Sequence, residues 1–96
     1  MAVLRKPCFK GMLVVRNDRG IHTRPATEIV KCAVGFRSEI KLRYHKCEVS
    51  AKSLLGILML AASKGAKINV EAIGTDAEEA VESILTLAKN NFNIHY

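Results

Sequence analysis

Apolar residues recur along this chain with two different periods, and the switches between them mark out its elements. Residues 9–16 are an apolar, β-branched run closing on Asn17-Asp18-Arg19-Gly20, which predicts a strand and a turn-rich loop. Ala26, Ile29, Val30 and Ala33 then fall at helical spacing. Pro25 sits in the first turn, where its fixed φ and missing N–H do no harm, and Gly35 supplies a stop. Residues 38–44 alternate, with Ile40, Leu42 and Tyr44 on one face, and residues 47–50 give a shorter strand. Between them His45-Lys46 forms the expected hairpin turn, without the Asn-Gly or Asp-Gly pair that favours tight hairpins. Ser53 is placed to cap a short helix carrying Leu54, Leu55, Leu58 and Met59. Residues 67–73 alternate again, with Ile68, Val70 and Ala72 inward. Thr75-x-x-Glu78 reads as a capping box for a last helix with Ala77, Ala80, Val81, Ile84, Leu85 and Ala88 as its stripe.

The order is therefore β-α-β-β-α-β-α. Strands with one apolar face and amphipathic helices imply an open-faced α/β sandwich, a single sheet with its helices on one side.

Length narrows the function. A chain of 96 residues makes one domain with a small core and little room for a deep cleft, which argues against a self-sufficient enzyme. No apolar run approaches the roughly 20 residues needed to span a bilayer. The start Met-Ala-Val-Leu-Arg-Lys has no apolar leader core, so a cytoplasmic protein without membrane insertion is expected. Cys8, Cys32 and Cys47 lack metal or disulfide spacing, and neither His45 nor His95 has ligand partners in the sequence; no metal and no cofactor are expected. The net charge of +6 favours acidic partners. The basic residues are dispersed and the aromatic ones few, which leaves a nucleic-acid-binding module as a weak third possibility.

The chemistry concentrates in Gly20-Ile21-His22-Thr23-Arg24-Pro25-Ala26. His22 falls just before a helix whose first N–H groups lack internal partners and whose dipole adds positive charge. A phosphate carried on His22 would meet an anion site there, with the Arg24 guanidinium to assist. The same positive end favours the neutral, nucleophilic ring. Spacing alone equally permits a plainer role in which His22 caps the helix and Arg24 is a solvated charge.

This segment resembles the active-centre signature of HPr, the histidine-containing phosphocarrier family of the phosphoenolpyruvate-dependent sugar phosphotransferase system. The resemblance runs without gaps from about Gly20 to Phe92. It includes Ser50-Ala51-Lys52-Ser53-Leu54-Leu55-Gly56, which is similar to the family's regulatory serine segment. It implies a four-stranded antiparallel sheet with three helices on one face. Residues 1–8 would be an N-terminal extension, 9–92 the phosphocarrier domain and 93–96 a tail.

By the same resemblance, His22 is the phosphoacceptor, modified on Nδ1 by phosphorylated enzyme I and donating to a histidine of an enzyme IIA. Arg24 assists transfer and Pro25 shapes the helix start. Ser53 matches the serine modified by HPr kinase/phosphorylase, where a phosphate at a helix start is tolerated and sets new charge beside an apolar docking patch. Thr23, Thr27, Lys31, Leu54, Leu55 and Leu58 are the implied docking residues, with Arg24 and Lys31 two turns apart along one helix face. A monomer is the simplest expectation. An HPr-like regulatory phosphorelay or binding protein, uncoupled from sugar transport, is the alternative. Three positions depart from the family pattern: Arg19 stands where a small polar residue is usual, Lys46 replaces a hairpin glycine, and Ala61 replaces a glycine after the second helix.

Overall fold

The alternation at Ile68, Val70 and Ala72 becomes the middle of the sheet: all three are at most 1% exposed. In the computed structural model, which describes residues 7–94, they lie on strand β4 (Lys67–Ile73). This strand pairs antiparallel with β1 (Cys8–Val14) on one side and β2 (Glu39–Tyr44) on the other. β2 pairs antiparallel with β3 (Cys47–Ser50), giving the order β1-β4-β2-β3. Leu13, Ile40 and Leu42 join the β4 residues on the buried face.

Helices α1 (Thr23–Ala33), α2 (Leu54–Met59) and α3 (Ala77–Lys89) complete the core. The result is the open-faced sandwich the sequence implies. Close packing of α3 on β1 depends on Gly11, where a Cβ would lie 2.8 Å from Val81 Cγ1 and 2.9 Å from Leu85 Cδ1. The opposite face of the sheet carries exposed ion pairs instead, such as Lys10–Glu71 at 3.4 Å and Lys41–Glu48 at 3.7 Å. Pairs of this kind contribute little to stability.

Three features differ from the sequence expectation. The Thr75-x-x-Glu78 capping box is not formed, because the residue that precedes α3 is Asp76 and its side chain does not cap the helix. Its carboxylate instead accepts hydrogen bonds from the amides of Arg37 and Ser38, each at 2.9 Å, and from Ser38 Oγ. On α3 Leu87 is buried, whereas Leu85 is half-buried against the core. Beyond α3 the chain makes an unforeseen left-handed turn, Asn91–Asn93, with φ of 53°, 55° and 59°, that delivers Phe92 fully into the core. Asn91 and Asn93 are of the residue type that tolerates this backbone, so the main cost, about 1–2 kcal/mol, falls on Phe92, and burying its phenyl ring offsets a cost of this size.

At the ends, the Pro7 carbonyl accepts from Gly74 N at 2.9 Å, Cys8 opens β1, and Ile94 is 4% exposed. The rest of segment 1–8, and His95 in the expected tail, lie outside the described residues.

Candidate functional site

Strand β1 hands the chain to a loop that is tied down at each step. Val15 still pairs, its amide donating to Ala66 O at 2.9 Å and its carbonyl accepting from Gly65 N at 2.8 Å. The Asn17 side chain is buried, and its Nδ2 donates to the Gly20 carbonyl. Gly20 donates back to Asn17 O at 3.1 Å and adopts φ 68°. A side chain there is excluded twice, by that left-handed φ and because a Cβ would meet Ala62 O at 2.4 Å. Ile21, 5% exposed, is anchored in the core and donates its amide to Ala62 O at 2.9 Å.

The next residue is His22, half-buried and in the N-cap position of α1 with extended backbone. Its carbonyl accepts the helix bond from Ala26 N at 3.1 Å, but its side chain makes no capping hydrogen bond. In the first turn, Thr23 and Arg24 have amides with no intrahelical acceptor by geometry, and Pro25 has no N–H to satisfy. No acidic residue occupies this turn. Arg24 and Thr23 are exposed, while Pro25 is buried, so the proline anchors the turn and the arginine remains available to an anion.

Further along α1, Thr27 Oγ1 donates to Thr23 O at 2.7 Å. Lys31 is exposed but pairs with Glu28 at 3.4 Å, which softens its charge.

The second expected site is equally well defined. Ser53 is the N-cap of α2, and its Oγ accepts from Gly56 N at 3.1 Å. One residue earlier, Lys52 Nζ reaches across to the Phe36 carbonyl at 2.8 Å. The residue that secures α2 is Ile57, fully buried and absent from the expected apolar set. Leu58 is half-buried against the core. Leu54, Leu55 and Met59 are 39%, 70% and 69% exposed. An apolar surface of this kind on a short helix fits a docking patch.

One of the departures from the family pattern falls on left-handed backbone, and another lies beside it. Ala61, following α2, has φ 52°, and the left-handed position of the hairpin is His45 at φ 55°, one residue ahead of Lys46. Sequence reasoning missed Asn17 and Ala62 as supports of the His22 loop. Asn at the start of a tight turn was the available signal for the first, whereas a backbone carbonyl leaves none for the second.

Cys8, Cys32 and Cys47 are free thiols, and burial pushes the Cys32 thiol up. Among the described residues no group of His, Cys, Asp and Glu could hold a metal ion, and no helix is long and apolar enough to cross a membrane.

The chain matches the family model for the PTS HPr component phosphorylation site over residues 9–90. It is 36% identical over 76 residues to phosphocarrier protein HPr of Cupriavidus necator, covering 79% of this chain and 85% of that one. HPr-C-His from Thermoanaerobacter tengcongensis superposes with a TM-score of 0.86 at 32% identity, over 92% of this chain and 99% of the other. The HPr of Bacillus anthracis superposes at 0.80 with 32% identity, over 84% and 96%.

Proposed function

This chain belongs to the HPr family of phosphocarriers, and from that premise we propose that His22 takes a phosphoryl group from phosphorylated enzyme I and donates it to a histidine of an enzyme IIA. The observation that carries the reading is the position of His22 at the N-cap of α1, ahead of a first turn that holds no acidic residue. A ring nitrogen attacks phosphorus, a new P–N bond forms, and the donor's bond to phosphorus breaks. The product anion then lies at the positive end of α1, with the Thr23 and Arg24 amides and the Arg24 guanidinium as donors. Pro25 sets the geometry of that end. Catalytic groups beyond these come from the docked partner, so the protein acts as an intermediate carrier and not as a stand-alone catalyst.

Partner recognition is assigned to the exposed Leu54, Leu55 and half-buried Leu58 on α2, and to Thr23, Thr27 and Lys31 on α1. Ser53 is the proposed regulatory site for HPr kinase/phosphorylase. Its phosphate would add roughly −1.5 to −2 charge beside Leu54 and Leu55 and hinder acidic partners. The protein is proposed to work in the cytoplasm as a monomer, although one solved HPr of T. tengcongensis is a dimer. Light scattering in solution decides between the two forms.

Incubation with enzyme I and labelled phosphoenolpyruvate tests the central step. Acid-labile label is expected on the wild type and none on His22→Ala. Absence of label on the wild type overturns the carrier reading, and retention on the variant overturns the residue assignment. With ATP and the kinase, acid-stable label lost in Ser53→Ala is expected.

A further inference from the structure

The loop that leaves β1 and the end of α3 enclose a cavity of about 390 Å³, lined by Arg16, Asn17, Asp18, Arg19, Lys89 and Asn91 among others. Neither His22 nor Arg24 contributes to its walls. The volume is within the range of small-molecule sites. Its charge is the unusual part. Among the described residues, Arg16, Arg19 and Lys89 pair with no acid. The one carboxylate in the wall, Asp18, is already held by Lys64 at 2.7 Å. The opposing term is the carboxyl end of α3, worth about half a negative charge. Three full cations outweigh it. Convergent cations at a concave surface raise the local concentration of anions, and guanidinium forks match phosphate oxygens two at a time.

We propose that this cavity is a second anion site, separate from the His22 centre, which binds a small organic phosphate carrying at least two anionic groups. A single-charged anion would leave the wall's charge mostly uncompensated, whereas phosphate plus a second phosphate or carboxylate comes near to balancing it. The concave shape and the shortage of aromatic residues disfavour a nucleic-acid strand. A ligand here would rest on the segment that Asn17 ties to Gly20, directly ahead of His22, and so bear on the carrier's loop without touching its imidazole.

The test is a titration of the unphosphorylated, isotope-labelled protein with pyrophosphate and with 3-phosphoglycerate, each against sulfate at matched ionic strength, followed by amide shifts. Saturable shifts at Asp18, Arg19 and Asn91 are expected for both probes, with sulfate much weaker. Lys89→Gln should raise Kd about threefold and the combined Arg16→Gln, Arg19→Gln, Lys89→Gln variant about tenfold or more. Arg24→Gln should leave Kd unchanged. These variants replace exposed side chains, and their amide spectra report directly whether they are folded. Shifts centred on Thr23 and Arg24 that vanish in Arg24→Gln would assign the anion to the His22 helix and overturn the proposal. Equal binding of sulfate, or affinity indifferent to the three cations, would also overturn it. None of these outcomes depends on whether His22 is phosphorylated by enzyme I, so the two proposals fail separately.

Discussion

The amide of Ile21 donates to the carbonyl of Ala62 at 2.9 Å, so the residue preceding His22 is held by the chain that leaves α2. Gly20 makes this contact possible, since a Cβ there would lie 2.4 Å from the same carbonyl. Gly20→Ala is expected to cost on the order of 3 kcal/mol or more, combining backbone strain with a damaged buried hydrogen bond. Gly65 is the control. It also has a positive φ, 89°, but a Cβ there meets nothing within 4 Å. Gly65→Ala should cost only about 1–2 kcal/mol. Urea denaturation of both variants measures the gap; equal losses would mean the Ala62 contact contributes nothing.

Ala61 should respond in the opposite direction. Its side chain is exposed and its φ is 52°, so no packing is lost on trimming it to glycine. Relief of left-handed strain, less the extra unfolded-state freedom of glycine, leaves a gain of about 0.5–1 kcal/mol for Ala61→Gly. Thermal unfolding should show a rise of a few degrees.

Ser53 caps α2 through the 3.1 Å bond from Gly56 N. Ser53→Ala is expected to cost about 1 kcal/mol, and Ser53→Asp clearly less, because a carboxylate accepts the same bond and favours a helix start. Chemical denaturation of the three proteins side by side checks the ranking.

Asp76 makes stability depend on acid pH. Hydrogen bonds from Ser38 Oγ and the Arg37 amide lower its pKa from 3.8 to about 2. The carboxylate's contribution is therefore fully present above the ordinary 3.8 and is lost as pH falls through about 2. In Asp76→Asn that contribution is gone at every pH. The urea midpoints of wild type and variant should be well separated near neutrality and converge towards pH 2. A constant separation would contradict the assignment.

How much of this was legible in the sequence depends on how far each signal reaches. Strand β4 was readable because alternation at Ile68, Val70 and Ala72 coincides with burial. The start of α1 was readable because Pro25 restricts where a helix can begin. In α2 five of six residues are apolar, Leu-Leu-Gly-Ile-Leu-Met, so no period distinguishes buried Ile57 from exposed Leu55. The Thr75-x-x-Glu78 pattern was locally sound. It lost to bonds joining Asp76 to residues 38 and 39 positions away, which no local window contains. The left-handed turn at Asn91–Asn93 has no glycine to announce it; its two asparagines tolerate that backbone, and the burial of Phe92, which no local pattern shows, holds it there. At the candidate site, the position of His22 could be anticipated, but the support from Ala62 required coordinates.

The strand order β1-β4-β2-β3 bears finally on how the protein is made. The first strand synthesised has a single neighbour in the sheet, and that neighbour is the last strand, so Leu13 waits for Ile68. Phe92, still later, plugs the core. A nascent chain thus exposes the apolar side of β1 until nearly the whole domain has left the ribosome. Closure is then a single long-range event, slower than the folding of a helical bundle of the same size.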